Sequence, residues 1–161
     1  MTRIRCPGRL ATTIPSFGSS RGPRREGRRA MARVVVVDGD ADLRDTLRML
    51  LEDAGYTVAE CDDGLDCLRV LRASPTPLVV LLENLLRRMM GEAVLRAVAA
   101  DPCLAGRHAY VVLTTSPCAL LPHTQHLPAG LSVPVIAKPF ELDELLNAVA
   151  QAAGRLMPTT C

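Results

Sequence analysis

The stretch PLVVLLEN, residues 77–84, limits what this chain can fold into more than any other part of it. Leu78–Leu82 is an unbroken apolar run, too short for a buried helix and suited to a strand covered on both faces. A second run, Val34–Val37 in RVVVVDGD, is β-branched throughout, and each run ends in an acid, Glu83 or Asp38. Strands with no polar side belong to parallel sheets, and parallel neighbours need crossover connections. An ionised carboxylate directly after a buried run is costly unless something pairs with it. Each acid therefore marks either a strand end or a site.

The intervening segments supply the crossovers. Asp42 is expected to cap a helix whose apolar residues Leu43, Leu47, Leu50, Leu51 and Ala54 recur at helical spacing, with Gly55 ending it. YTVAEC reads as a second strand, and GLDCLRVLRA as a second helix with Leu65, Leu68 and Leu71 inward, closed by a turn over Ser74–Pro77. A loop from Glu83 to Gly91 leads to EAVLRAVAA, a third helix. AYVVLTT is a fourth strand ending at Thr114, SVPVIAK a fifth, and ELDELLNAVAQAAGRL a final helix. Pro117, Pro122 and Pro128 make any helix within 116–130 short or irregular. The alternation predicts an α/β domain, a doubly wound five-stranded parallel sheet with helices on both faces, over residues 31–161.

Charge divides the chain. Residues 1–30 hold eight arginines against one acid, Glu26, whereas the remainder holds 11 basic residues against 16 acidic ones. The first thirty residues, rich in Arg, Gly, Pro and Ser, are expected to be a disordered basic extension, or an artefact of an early start codon, since Met31 directly precedes the first strand. Nucleic acid is an unlikely partner except through that extension. Phe17, Tyr56, Tyr110 and Phe140 are the whole aromatic set, too few for a surface of stacked bases. Six cysteines form no C-x-x-C pair, and no apolar leader precedes them, so reduced thiols and a cytoplasmic location are expected. Cys118, His123 and His126 bring no fourth ligand, which argues against zinc. No run is long enough to span a membrane.

Ligands of open parallel sheets bind outside the carboxyl ends of the strands. Those ends carry Asp38 with Asp40 nearby, Glu83, Thr114 and Lys138. Lys138 is the only lysine beside 18 arginines. A compact ammonium on a slender stem reaches into a small anionic pocket where a planar guanidinium fits less well.

In order and spacing these pieces resemble the receiver domain of two-component response regulators over residues 32–156. VVVVDGDADLRDTLRMLLEDAGYTVAECDDGLDCLRVL is similar to the opening of that family. LVVLLENLLRRMMG resembles its phosphorylation strand and loop, VVLTTS its hydroxyl-bearing strand, and VIAKPFELDELL its Lys-Pro-Phe segment. The resemblance implies a flavodoxin-like receiver fold, no enzyme activity of its own, and a histidine kinase or effector protein as partner. It also implies Mg²⁺ held by acids of the first strand together with an acceptor Asp. Carried over, Asp38 takes the place of the first acid, with Asp40 in the same acidic pocket, and Gly39 stands where the second acid belongs. Glu83 falls on the acceptor, and Thr114 and Lys138 on the phosphate-contacting hydroxyl and lysine. Val135 replaces the usual aromatic switch residue.

Gly39 removes a metal ligand, so any Mg²⁺ held by Asp38 and Glu83 is expected to be weak. Glu83 is longer than Asp by one C–C bond, about 1.5 Å, which displaces the nucleophile. Three states of Glu83 follow from the resemblance: a permanent imitation of phosphorylation, an inert remnant paired with Lys138, or an acceptor still in use. Arg87 and Arg88 read as a solvated face or a contact for an acidic partner, and Thr115 and Ser116 as loop hydroxyls. The expected function is a stand-alone atypical receiver acting by protein contact. Two rivals remain: a small phosphate- or flavin-using enzyme on the same fold, against which DGDAD offers no glycine-rich phosphate loop, and a DNA-associated regulator using the basic extension.

Overall fold

The computed structural model describes residues 32–117 and 131–156. The basic extension and Cys118, His123 and His126 lie outside the described residues, as does most of the proline-broken run. Five strands, β1 (Arg33–Val37), β2 (Thr57–Cys61), β3 (Leu78–Glu83), β4 (Ala109–Thr114) and β5 (Val135–Ala137), form one sheet in the order β2-β1-β3-β4-β5. Every pairing is parallel, with Val34 beside Val58 and Val79, and Glu83 beside Leu113. The helices are α1 (Ala41–Asp53), α2 (Gly64–Ala73), α3 (Gly91–Ala99), α4 (Pro102–Arg107) and α5 (Leu142–Gly154).

Alternation along each strand builds two cores. Val34, Val36, Val79, Leu81, Val111 and Leu113 meet Leu47 and Leu51 of α1 and Leu145 and Val149 of α5. Val35, Val37, Val80, Leu82 and Val112 face Leu68, Leu71, Val94, Val98 and Leu104 on the other side. All six residues of β3 are buried, which accounts for its lack of a polar side. Each fully buried leucine there contributes about 2 kcal/mol by removal from water. Chain order reverses between β1 and β3, so a crevice opens where their carboxyl ends diverge. Glu83 and Asp38 stand there.

Three local expectations need correcting. The side chain capping α1 belongs to Asp40, whose Oδ1 accepts from the Asp42 and Leu43 amides at 3.0 and 3.2 Å, so Asp42 is already inside the first turn. Leu65 is 39% exposed, not inward. Gly64 takes the inner position, so close to the Met89 carbonyl that a Cβ would lie 2.4 Å from it. The fifth strand is shorter than SVPVIAK, because Pro134 has no N–H for a ladder and contributes only its carbonyl, which accepts from Val112. One helix, α4, was not anticipated; Asp101 caps it and Pro102 opens it.

Candidate functional site

Asp38, just past β1, and Glu83, the last residue of β3, are both buried and are joined through one cation. The Lys138 ammonium donates to Asp38 Oδ2 at 2.6 Å and forms an ion pair with Glu83 Oε2. Its stem is held because the Lys138 N–H donates to the Thr114 carbonyl at 2.8 Å. The remaining carboxylate oxygens are also engaged. Asp38 Oδ1 accepts from the Asp40 amide at 2.9 Å, and Glu83 Oε1 from the Leu85 amide at 2.9 Å. Burial alone would lower the Lys138 ammonium, but hydrogen bonds to Asp38 and Glu83 outweigh it and raise its pKa above the ordinary lysine value. Lys138 is therefore charged at neutral pH. Arg44 reaches from α1 to the Asp38 carbonyl at 2.6 Å and steadies the β1–α1 turn.

Above this cluster lies an open pocket of about 430 Å³. Asp38, Gly39, Asp40, Glu83, Leu85, Arg87 and Thr115 line it. Gly39 leaves real space, since a Cβ built there meets nothing within 4 Å. Gly91 is the reverse case: a Cβ on it would lie 2.5 Å from the Glu83 carbonyl. The β3–α3 loop folds back directly onto the strand end, and the Asn84 side chain fixes it by accepting from the Glu92 amide at 3.1 Å.

The fold thus brings together Asp38, Asp40, Glu83 and Lys138. Thr114 lies fully buried, and its Oγ1 accepts from the Ser116 amide at 3.1 Å; the hydroxyl-bearing residue on the pocket wall is Thr115. The double engagement of Lys138, with Asp38 as well as Glu83, went unanticipated, although the single lysine was the signal for it. Arg87 and Arg88 part company. Arg87 stands on the pocket wall, whereas Arg88 binds Asp63 and Asp66 at the head of α2. Burial would raise the Asp63 carboxyl, but hydrogen bonds from the Asp66 amide, Arg88 and the Leu65 amide outweigh it and hold it below its ordinary value. Asp62, Asp63 and Asp66 place ligand atoms within 4.8 Å of one another, yet Arg88 already supplies the positive charge there.

A doubly wound sheet with an acid–lysine cluster at the point where strand order reverses places its site where open parallel sheets bind their ligands. A family model described as the response regulator receiver domain matches residues 34–150, and the chain belongs to that family. Response regulator MprA of Mycobacterium ulcerans (strain Agy99) is 32% identical over 114 residues, covering 71% of this chain and 47% of that protein. MprA of Mycolicibacterium vanbaalenii is 30% identical over 126 residues, 78% of this chain and 52% of that one. The chain spans about half the length of the curated relatives it matches.

Among solved structures, Vibrio cholerae chemotaxis protein CheY4 superimposes with a TM-score of 0.64 at 26% identity, covering 76% of this chain and 99% of that chain. A CheY-like receiver domain from Methanospirillum hungatei JF-1 gives 0.61 at 26% identity, with 77% and 96% covered. The receiver domain of Pseudomonas aeruginosa histidine kinase PA1611, which shares the fold at 19% identity and a TM-score of 0.65, covers 78% of this chain and 99% of that one. In that protein a magnesium ion is coordinated in the active-site cleft.

Receiver domains are signalling domains rather than typical enzymes; they interact with histidine kinases and effectors, and commonly bind Mg²⁺. The donors of this chain fit that ion poorly. Mg²⁺ demands near-octahedral oxygen ligands. Here the four carboxylate oxygens of Asp38 and Glu83 already accept from an ammonium or an amide, and Gly39 offers none. No helix among the described residues is long and apolar enough to cross a membrane.

Proposed function

We propose that this chain is an atypical receiver domain that signals without phosphoryl transfer, through protein contact, with Glu83 as a degenerate acceptor. The observation that carries this reading is the closed ion-pair cluster. One Glu83 oxygen is held by Lys138 and the other by the Leu85 amide, so the carboxylate is fixed in place and its charge is already partly neutralised. In-line transfer depends on a positioned nucleophile and strong positive charge on the transferring group. A longer side chain, tied on both oxygens, supplies neither. The Thr114 hydroxyl is turned to the Ser116 amide, which favours an inert remnant over a permanent imitation of phosphorylation. On this reading output depends on the amount of protein and on its partner's availability. A kinase or effector partner recognises a surface whose conformation the ion pairs have already fixed.

The test is intact-mass measurement of the full chain after exposure to acetyl phosphate with Mg²⁺, beside Glu83→Gln. The expected result is no adduct on either protein, with circular dichroism showing both folded. A phosphate adduct on the wild type that disappears in Glu83→Gln would overturn the reading.

A further inference from the structure

We infer that Lys138 is the built-in counter-ion of the acidic pocket, and that it excludes divalent cations from it. This rests on the phosphorylation-independent reading and gives the cluster a positive role. Three carboxylates, Asp38, Asp40 and Glu83, border the pocket, and in isolation they would draw a divalent ion. Two of them, Asp38 and Glu83, share the Lys138 ammonium. The third, Asp40, spends Oδ1 on the first turn of α1, accepting from Asp42 and Leu43. Arg87 is also among the residues that line the pocket.

A hydrated divalent ion entering here would have to take two carboxylates from an ammonium anchored only a side chain away. The Lys138 backbone is fixed to the Thr114 carbonyl and its side chain is 16% exposed, so displacement would leave the ammonium poorly solvated beside the incoming charge. The missing acid at Gly39 compounds this. The space beside Gly39 is open, so the obstacle is a shortage of oxygen donors and the ammonium already seated between two of the acids rather than lack of room. A lysine can substitute for a metal in neutralising two acids, but it brings no open coordination position. The cluster therefore partly neutralises its acids as a metal would, with none of a metal site's reactivity.

The experiment is an ¹⁵N–¹H NMR titration of the full chain with MgCl₂ to about 10 mM, in a regime where Mg²⁺ binds through one or two carboxylates. It is followed at the backbone amides of Gly39, Asp40 and Leu85. In the wild type these amides are expected to stay in place. In Lys138→Met, which frees Asp38 and Glu83, they are expected to move along a saturable curve. Saturable movement in the wild type would overturn the inference. So would a folded Lys138→Met that ignores Mg²⁺, because the ammonium would then not be what keeps the ion out. If Lys138→Met fails to fold, the wild-type titration still decides. No phosphodonor is present, so metal binding sinks only this inference, whereas an adduct in the mass experiment sinks the proposed function.

Discussion

Acidification should put a charge where the core is built for a neutral ring. His108 is buried between α4 and β4; its Nδ1 accepts from the Leu78 amide at 3.2 Å, and its Nε2 lies 3.2 Å from the Leu71 carbonyl. These partners fix the neutral tautomer with its proton on Nε2. A second proton on Nδ1 would confront the Leu78 N–H donor to donor, at the first residue of β3. Burial pushes His108 down from 6.5 to about 4; the Leu71 carbonyl opposes this and the Arg107 charge adds to it. Between those two values the unfolded chain binds more protons than the folded one. The stability contributed by this residue is therefore complete above about 6.5, falls as pH drops, and levels off below about 4. At 1.36 kcal/mol per unit over that gap, the loss is about 3 kcal/mol.

Urea unfolding at stepped pH measures this, with His108→Gln as the comparison because its amide stays neutral throughout. The variant should lose about 1 kcal/mol near neutrality, where its hydrogen bonds are imperfect. It should then decline less steeply than the wild type below pH 6.5, retaining only the part due to carboxylates. Equal slopes for the two proteins between about pH 6.5 and 4.5 would refute the reasoning.

Other perturbations probe the site. Lys138→Met should cost about 3 kcal/mol in urea unfolding, because it leaves two buried carboxylates without their cation. Glu83→Gln should cost clearly less, since Lys138 keeps Asp38; the reverse ranking would contradict the shared-cation geometry. Gly91→Ala should destabilise by about 1–3 kcal/mol, because the new methyl meets strand backbone rather than a movable side-chain end. Gly39→Ala, facing open space, should stay within about 0.5 kcal/mol of wild type in the same assay. Asp63→Ala should cost about 2 kcal/mol by thermal or urea unfolding, since it removes both the α2 cap and the tether for Arg88.

Much of the fold was legible because apolar periodicity carries it. Val34–Val37 and Leu78–Leu82 could only be strands buried on both faces, and the helical spacing of Leu47 and Leu51 placed α1 against them. The pairing of Glu83 with Lys138 was also legible, since a lone lysine and a carboxylate at the same edge of the sheet have few other partners. What escaped depended on geometry that spacing does not encode. Asp40 and Asp42 are equally good caps on paper; the chain's turn after Asp38 selects Asp40. Leu65 looked inward until the close approach of Gly64 to the Met89 carbonyl set the rotation of α2. The Asp101–Pro102 start of α4 was readable but brief, and β5 was overestimated because Pro134 breaks its ladder. In the same way, nothing in the order of Arg87 and Arg88 shows that one lines the pocket while the other clasps α2.

The central claim is that one ammonium holds both acids of the site, and the sequence offers a direct way to see it. Lys138 is the only lysine, so ¹⁵N-lysine labelling of the full chain gives a single side-chain ammonium signal. Held by Asp38 and Glu83, that signal should persist against solvent exchange at neutral pH, move in both Asp38→Asn and Glu83→Gln, and stay in place in Asp42→Asn. An ammonium signal lost to rapid exchange, or one indifferent to Glu83→Gln, would contradict the account.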